Sequence, residues 1–346
     1  MPILERLELP IVQAPLAGGA STPALAAAVC EAGGLGFLAA GYKTADAVRA
    51  DLETLRGLTE RPFGLNIFAP PGHAPDDEAV RAYAARLCDE GELGEPRHDD
   101  DGWGEKLALA EAERLPLVTF TFGCPEPAVF DRMHAAGAEA WVTVTSPAEA
   151  RTARDAGADA LVVQGVEAGG HRAVFDDDDA ASDLGVLAAL QLVAAAVDLP
   201  LVATGGLATG RAVAAVLAAG AAAAQLGTAF MRTPEAGTAD VHREALAGEA
   251  PTALTRAFSG RTARGVVNRF MREHSVDAPR AYPDIHHVTA PLRAAARERG
   301  DADGLHLWAG QAHALAAEEP AGELTRRLAA EAAAALEEAI SRLRSG

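Results

Sequence analysis

The residues best suited to chemistry lie in the segment Leu161–Arg172, which reads LVVQGVEAGGHR. Its apolar start, Leu161–Val163, is typical of a strand buried on both faces. The bulky polar side chains follow that strand: Gln164, Glu167, His171 and Arg172. Gly169 and Gly170 have no β-carbon, so a flat ligand can approach the backbone closely, and His171 can gain or lose a proton near neutral pH. The alternative interpretation is a tight turn followed by a hydrogen-bonded histidine.

Eight short apolar segments are predicted to form the buried strands that position this loop. They are Pro10–Pro15, Leu35–Gly41, Phe63–Pro70, Leu117–Gly123, Glu139–Ser146, Ala160–Gly165, Leu199–Gly206 and Ala222–Phe230. Helices are predicted between most of them, at Thr22–Glu31, Thr44–Leu55, Pro125–Ala136, Pro147–Asp155, Leu184–Val197 and Thr209–Ala218. Strands that alternate with helices run parallel, and eight such units favour an α/β fold of the (β/α)8 TIM-barrel type over an open doubly wound sheet.

Glycine recurs where several of the predicted helices end. The phrases EAGG, AAGAEA, DAGADA and AAGAAA each place it just before the next strand. Helices commonly end in a left-handed residue, a conformation that glycine adopts without steric cost. These phrases therefore support the alternation of helix and strand.

Two segments interrupt this alternation. His73–Glu113 is polar, and it is predicted to be a long loop with one helix near Asp76–Asp89. In Arg232–Pro320 the strand patterns disappear. Helices are predicted there around Ala239–Gly248, Ala253–Phe258, Ala263–His274 and Leu305–Ala317.

The last stretch, Glu323–Arg344, is predicted to be an amphipathic helix that packs back on the barrel. We therefore divide the chain into two parts. Residues 1–231 form the barrel, completed by a C-terminal helix at 323–346. Residues 232–322 form a small, lid-like helical subdomain.

The composition indicates a globular protein. With 346 residues, of which 49% are hydrophobic, the chain can bury a large core. The net charge of −19 disfavours binding to nucleic acid or to an anionic membrane. The first residues lack a basic segment followed by an apolar one, and the longest apolar run, residues 212–224, is mostly alanine. We therefore expect a cytoplasmic protein with neither a nucleic-acid nor a membrane partner; its oligomeric state is not predicted.

Neither a metal centre nor a disulfide framework is predicted. Cys30, Cys88 and Cys124 are odd in number and have no CxxC spacing. Cys124 follows a predicted strand, where a small buried hydrophobe is expected rather than a nucleophile. Asp176–Asp179 is expected to be a solvated, mobile loop, because adjacent carboxylates cannot converge on one ion without tight turns.

The ligand site of such a barrel lies at the carboxyl ends of its strands, and the residues there form a coherent set. They are Ala14, Pro15 and Leu16 after strand one, Asn66 in strand three, Gln164, Gly169, Gly170 and His171 after strand six, Gly205 and Gly206 after strand seven, and Gln225, Gly227 and Thr228 after strand eight. A barrel commonly binds phosphate at strands seven and eight, where glycine amides and a helix dipole supply positive charge even in an acidic protein. A plain turn is the alternative for each glycine pair taken alone.

The remaining groups suit a planar polar ligand. Asn66 and Gln164 each carry a donor and an acceptor, which match the edge of a ring with carbonyls and ring nitrogens. Ala14 and Pro15 provide a flat backbone wall. Flavin mononucleotide (FMN) satisfies all of these features, although each amide could instead cap a strand end. No GxGxxG or GxxxxGK[ST] motif follows a strand, so a dinucleotide or P-loop site has no support.

The chain resembles the class I nitronate monooxygenases, formerly called 2-nitropropane dioxygenases. The motifs that carry the resemblance occur in the family's order: QAPLAGG, GLNIFAP, VVQGVEAGGHR, ATGGLATG, AAAQLGTAF, TRAFSGRTARGVVNRF and LWAGQ. They cover nearly the whole chain, and EAGGHR followed by LWAGQ is the most specific pair. The chain departs from the family at Leu16, where Met is usual, and at Ala173, where Gly often follows HR.

The resemblance implies an enzyme that binds FMN non-covalently and uses His171 as its catalytic histidine. By it, a small alkyl nitronate such as propionate 3-nitronate stacks over the flavin and is oxidised in one-electron steps with O2. The products are a carbonyl compound and nitrite or a related oxidised nitrogen species. Neutral nitroalkanes are possible further substrates.

Two other functions fit the same residues. The first is an FMN- and NAD(P)H-dependent enoyl-thioester (enoyl-ACP) reductase, whose barrel carries a similar EAGGH loop. The second is a flavin-storage or regulatory barrel, in which His171 is structural. Candidates for substrate selection in the subdomain are Tyr282, His286, His287 and His306, for which ordinary packing or surface exposure is the alternative.

Overall fold

The computed structural model describes residues 2–72, 74–177 and 183–345, and at its centre lies one eight-stranded parallel sheet. Its strands are β1 (Ile11–Gln13), β2 (Phe37–Ala39), β3 (Gly64–Phe68), β4 (Leu117–Thr121), β5 (Glu139–Val144), β6 (Ala160–Gln164), β8 (Leu201–Thr204) and β9 (Ala223–Leu226). A further strand, β7, is Gly170–His171 and belongs to a second sheet. All eight predicted barrel strands are confirmed, each shortened to its apolar centre.

The sheet closes on itself. Its strand order is β1-β9-β8-β6-β5-β4-β3-β2, so β1 and β2 are the two ends. A parallel bridge joins Val12 to Leu35, just before β2. The amide of Gln13 donates to the carbonyl of Leu35 at 2.9 Å, and the amide of Leu35 donates to that of Ile11 at 3.0 Å. These bonds complete the predicted (β/α)8 barrel.

Helices surround the barrel and extend beyond it. The described ones are α1 (Ile3–Arg6), α2 (Pro23–Glu31), α3 (Ala45–Arg56), α4 (Asp77–Arg86), α5 (Trp103–Ala112), α6 (Pro127–Ala136), α7 (Pro147–Ala156), α8 (Val186–Ala194), α9 (Gly210–Ala218), α10 (Asp240–Ala247), α11 (Arg269–His274), α12 (Asp284–Glu298) and α13 (Ala321–Arg344). The glycines after α2, α6, α7 and α9 have φ of +94°, +90°, +112° and +100°. The predicted left-handed helix ends are thus confirmed.

Alternating side chains along the strands build two packed layers. Leu161 and Val163 in β6 face the helices and join the larger core between sheet and helices. Val162 faces the barrel interior, where it packs with residues such as Phe37 and Trp141. The interior is filled by these side chains, so ligand space is left at the carboxyl ends of the strands.

The segment His73–Glu113 contains a helix that the sequence analysis missed. The prediction of a helix near Asp76–Asp89 is confirmed by α4, but α5 also forms and serves as the crossover between β3 and β4. It starts after Gly102, which is left-handed, and its first turn has no side-chain cap. Without a capping residue, the usual signal for the start of a helix is absent from the sequence.

The predicted helices at Ala253–Phe258 and Leu305–Ala317 are wrong, and the helix predicted at Ala263–His274 forms only over Arg269–His274. Two strands, β10 (Thr252–Thr255) and β11 (Ala263–Val266), form an antiparallel pair, and β11 also pairs with β7. The stretch at 305–317 is largely irregular, with a short 3-10 turn at His313–Leu315. The strands are short, and β11 is completed by a partner from far along the chain, so the local pattern did not reveal them.

The loop after His171 also differs from the prediction of a solvated segment. Asp177 accepts hydrogen bonds from Arg256 Nε at 2.6 Å and from the amide of Thr262 at 3.2 Å. Asp178 and Asp179 lie outside the described residues. The first part of this acidic run therefore ties the barrel loop to the segment that contains β10 and β11.

The C-terminal helix α13 packs against the barrel, as predicted. Leu324 and Leu328 are buried in the main core, between α13 and the outer helices α2 and α9. The Glu331 carboxylate accepts a hydrogen bond at 3.1 Å from the amide of Gly210, at the start of α9. This contact satisfies a free amide at the N-terminus of α9 and places a negative charge where the helix dipole favours it.

Candidate active site

A cavity of about 410 Å³ opens at the carboxyl ends of the barrel strands. Every site residue predicted from the sequence lines it: Ala14, Pro15, Leu16, Asn66, Gln164, Gly169, Gly170, His171, Gly205, Gly206, Gln225, Gly227 and Thr228. The cavity is also lined by side chains from the later part of the chain, among them His286, Arg293 and Trp308. These residues and the barrel loops therefore enclose one site of the size expected for a cofactor with a small substrate.

One end of the cavity is a cradle of backbone amides. Gly205 and Gly206 follow β8 with φ of +122° and +69°, and Gly227 and Thr228 follow β9. Among the described residues, the amide N–H groups of Gly206, Gly227 and Thr228 have no hydrogen-bond acceptor. A β-carbon on Gly206 would lie only 2.9 Å from the β-carbon of Glu167, so a side chain cannot fit there. Unpaired amides that converge in this way are suited to a phosphate.

The amide of Asn66 is oriented by β4. Its Nδ2 donates to the carbonyl of Thr119 at 3.2 Å and to the hydroxyl of Thr121 at 2.9 Å. A carbonyl oxygen can only accept, so these bonds fix which end of the amide is the nitrogen. Asn66 therefore has its Oδ1 acceptor left for a ligand.

Gln164 is held in the opposite sense. Its Oε1 accepts from Arg172 Nη1 at 2.6 Å and from the amide of Ala173 at 2.9 Å, while its Nε2 donates to the carbonyl of His171 at 3.2 Å. The acceptor is occupied, so a ligand can use only the second N–H of Nε2. The sequence predicts that each amide offers both a donor and an acceptor. In the structure, Asn66 instead keeps only its acceptor and Gln164 only its donor.

Two polar residues of the central loop have structural roles. Arg172 is fully buried and, besides binding Gln164, donates to the carbonyl of Gly165 at 2.8 Å. The Glu167 carboxylate accepts from the amide of Val186 at 3.0 Å and so caps the start of α8. The loop thus uses Arg172 and Glu167 to hold its shape and leaves His171 for the cavity.

His171 lies in β7, where pairing with Ala263 of β11 fixes its backbone. Its Nε2 is 2.8 Å from the hydroxyl oxygen of Ser259. The rings of Phe122, Trp308 and Tyr282 surround the imidazole, their centroids 5.4 to 5.9 Å away. Burial in this aromatic setting, helped by the positive charges of Arg261 and Arg293, lowers the pKa of His171 to about 3. His171 is therefore neutral at physiological pH and keeps a nitrogen lone pair.

Tyr42 is a cavity residue that the sequence analysis did not predict. It stacks on His286, with ring centroids 4.1 Å apart and planes 5° apart. Its backbone is left-handed, with φ of +65°, and its amide donates to Asp101 Oδ1 at 3.0 Å. No local pattern gives this position, because the conformation depends on a carboxylate far along the chain.

Of the four candidates in the subdomain, His286 and His306 line the cavity. Tyr282 contacts the site through its hydroxyl, which lies 3.3 Å from that of Tyr42, and through its position beside His171. His287 is not a lining residue; its Nε2 pairs with Asp99 at 2.9 Å.

Other reactive groups lie away from this chemistry. Burial raises the pKa of the Cys124 thiol to about 11, which fits the prediction of an unreactive side chain. Within the described residues, one group has ligand atoms close enough for a metal ion: Glu90, Glu273 and His274. Arg269 binds Glu90 there through both guanidinium nitrogens at 2.7 Å, so the group is an ion-pair network. None of the described helices is long and apolar enough to cross a membrane.

Comparison with known proteins places this geometry in a family. The family model described as nitronate monooxygenase matches residues 3–331. A nitronate monooxygenase from Pseudomonas aeruginosa is 42% identical, over 94% of this chain and 96% of the relative. A crystal structure of nitroalkane oxidase from Streptomyces ansochromogenes is 53% identical, with a TM-score of 0.94, covering 97% of this chain and 99% of that one.

A more distant structure, FabK from Thermotoga maritima, is 28% identical with a TM-score of 0.76, covering 99% of this chain and 97% of that one. The barrel is thus shared with other proteins, whereas the family match and the higher identities single out one group. The cavity, the loop that carries His171 and the match over nearly all of the sequence lead to one conclusion: the chain belongs to the nitronate monooxygenase family of enzymes.

Proposed function

We propose that the enzyme binds FMN and oxidises small alkyl nitronates, such as propionate 3-nitronate, with O2 to a carbonyl compound and nitrite. The reaction balances when two nitronates and one O2 give two carbonyl compounds and two nitrite ions. The observation that carries the proposal is the composition of one cavity, which joins a cradle of unpaired amides to a neutral histidine in an aromatic setting.

The residues present fit FMN. The amides of Gly206, Gly227 and Thr228 would hold the phosphate, and the left-handed Gly206 leaves no room for a side chain in its place. Asn66 Oδ1 and Gln164 Nε2 would meet an N–H and an acceptor on the edge of the flavin ring. When bound, FMN supplies the electron acceptor that a protein of ordinary side chains lacks.

His171 and the rings around it form the wall beside which a nitronate would lie. With its Nε2 proton donated to Ser259, the neutral imidazole presents the lone pair of Nδ1, and the surrounding rings of Phe122, Trp308 and Tyr282 exclude water from the reacting carbon. With its pKa lowered to about 3, His171 is a weak base in the free enzyme. Pre-ionised nitronates are therefore the better substrates, and neutral nitroalkanes, which must first lose a proton, are the poorer ones.

The division of the chain supports this role. We propose residues 1–231, with the helix at 323–346, as the FMN-binding barrel and residues 232–322 as a lid that supplies the outer wall of the cavity. Trp308 and His286 belong to that lid and line the same space as His171.

One experiment tests the proposal against the enoyl-thioester reductase alternative. The purified protein is denatured to identify the released flavin, and the loaded protein is then mixed without oxygen with propionate 3-nitronate or with NADPH. We expect FMN rather than FAD, and bleaching of the flavin spectrum by the nitronate alone. Release of mainly FAD, a protein that takes up no FMN, or bleaching by NADPH alone would contradict the proposal.

A further inference from the structure

Arg293 is a cation of the cavity without an anionic partner among the described residues. Its Nε donates to the hydroxyl of Thr289 at 3.1 Å, and its Nη2 donates to the carbonyl of His286 at 2.7 Å. None of the described carboxylates lies within 4.0 Å of it. These bonds to neutral groups fix the guanidinium in place while its charge stays uncompensated.

The position of Arg293 is at the His171 end of the cavity. Arg293 Nη2 lies 3.3 Å from His286 Nδ1, and His286 stacks on Tyr42. The hydroxyl of Tyr42 meets that of Tyr282, whose ring lies 5.9 Å from that of His171. The amide cradle, in contrast, is built by the residues after β8 and β9. A phosphate in the cradle would therefore not account for this cation.

An uncompensated charge in such a place is costly. Burial lowers the pKa of Arg293 to about 10, so the side chain remains charged at neutral pH. A partly dehydrated guanidinium binds a carboxylate strongly, because charge and paired hydrogen bonds act together. A bound anion would repay the cost of desolvation.

We propose that Arg293 binds a carboxylate carried by the substrate, so that the enzyme prefers nitronates with a second anionic group over those with a neutral tail. The inference rests on the proposed function. His171 contacts Ser259 and aromatic rings, whereas Arg293 contacts Thr289 and His286. The nitronate is accordingly assigned to the side of His171, and the remote anionic group of the substrate to Arg293.

The test compares two nitronates of equal chain length, propionate 3-nitronate and 1-propyl nitronate, in three FMN-loaded variants. Arg293→Met should raise KM for the carboxylate-bearing nitronate about 10- to 100-fold, the loss expected for a hydrogen-bonded charge, and leave KM for 1-propyl nitronate within about twofold. Arg293→Lys should keep part of the preference. The matched control is Arg299→Met, since Arg299 follows the same helix and its side chain is 63% exposed.

Equal losses for both nitronates would mean that Arg293 binds the nitronate group itself, and no loss for either would mean that it binds no substrate. Either result overturns the inference. Flavin content and the melting temperature establish that each variant is folded and loaded.

A second measurement separates this inference from the proposed function. Calorimetric titration of the FMN-loaded protein compares butyrate with butyramide, which has the same shape and no charge. We expect the wild type to bind butyrate at least 10-fold more tightly than butyramide, and Arg293→Met to bind both equally weakly. If no nitronate is oxidised, the proposed function fails and this titration still decides the inference. Equal binding of both probes to the wild type would refute it.

Discussion

The Nε2 atom of His171 meets the hydroxyl of Ser259 at 2.8 Å, although 88 residues separate them in the chain. The same hydroxyl lies 3.2 Å from the carbonyl of Arg261, to which it can donate its proton. Ser259 then accepts the Nε2 proton of His171, and the lone pair of the imidazole is on Nδ1. The pair therefore sets the tautomer of the residue on which the proposed chemistry depends.

The first prediction concerns this pair. Ser259→Ala removes the acceptor, so the Nε2–H tautomer of His171 should lose its dominance, and turnover of nitronates should fall about 3- to 10-fold, the effect of one neutral hydrogen bond. Nitrogen-15 chemical shifts of the imidazole measure the tautomer directly. Ser259→Thr keeps the hydroxyl and should preserve both properties. An unchanged tautomer in the alanine variant would show that Ser259 does not position His171.

The second prediction concerns the amide cradle. Gly206→Asp places a side chain against Glu167 and a negative charge where amides should meet phosphate, so FMN content should fall to a small fraction of the wild-type value. The ratio of flavin to protein absorbance measures it. Gly220→Asp is the matched control, because Gly220 is also left-handed, with φ of +100°, but is exposed and outside the cavity. Equal flavin content in both variants would show that the phosphate of FMN does not bind at Gly206.

The third prediction concerns stability in acid. Burial lowers the pKa of His242 to about 4 and that of His286 to about 2, and holds the pKa of His306 well below its usual value. Like His171, these side chains are neutral in the folded protein. An unfolded histidine titrates near 6.5, so as the pH falls below that value the unfolded state binds protons first. Each such histidine then lowers the free energy of unfolding by about 1.4 kcal/mol per pH unit, until the pKa of the folded state is reached.

Melting temperatures at pH 8 and pH 5 measure this effect. The wild type should lose stability steeply between them, and His306→Leu should lose less, because it removes one buried group that resists protonation. His306 suits the test because its Nδ1 is buried without a hydrogen-bond partner among the described residues. A variant with the same pH dependence as the wild type would show that His306 titrates normally in the folded protein.

The sequence predicted those parts of the site that depend on local patterns, and it did not predict those that depend on contacts between distant residues. Gly205, Gly206 and the strand ends could be predicted, because strand hydrophobicity and glycine punctuation are local and the barrel brings its strand ends together. The orientation of Gln164 could not, since it is set by the guanidinium of Arg172 in the folded loop.

The segment proposed as a lid was harder to predict, because its structure depends on contacts between distant parts of the chain. Strands β10 and β11 are short and pair with each other, and β11 also pairs with β7, which lies more than 90 residues earlier in the sequence. The backbone conformation of Tyr42 is held by a hydrogen bond to Asp101. Arg293 lines the cavity only because of how its helix packs in the folded protein. Composition alone, rich in Ala and Arg, favours helix in such segments and gives no sign of these contacts.

The last prediction is that His171→Asn separates two activities. A neutral nitroalkane must lose its α-proton before oxidation, and a positioned base contributes about 10²–10⁴-fold to that step. This holds even for a histidine of low pKa, because the nitronate anion that forms stabilises the protonated imidazole. A nitronate has already lost the proton, and asparagine is a polar side chain of similar size that can donate a hydrogen bond to a nitro oxygen. Turnover of nitroalkanes should therefore collapse, while turnover of nitronates falls by about 10-fold or less.

Steady-state oxygen uptake with 1-nitropropane and with its pre-formed nitronate measures the two activities. The matched control is His287→Asn, because that lid histidine pairs with Asp99 outside the cavity and should affect neither. If the wild type does not use nitroalkanes, the expectation for nitronates still applies. Equal loss of both activities with FMN retained would mean that His171 positions the nitronate rather than removing a proton. Full activity with both substrates would mean that the loop at His171 is structural, and that the hydrogen bond from His171 to Ser259 only stabilises the fold.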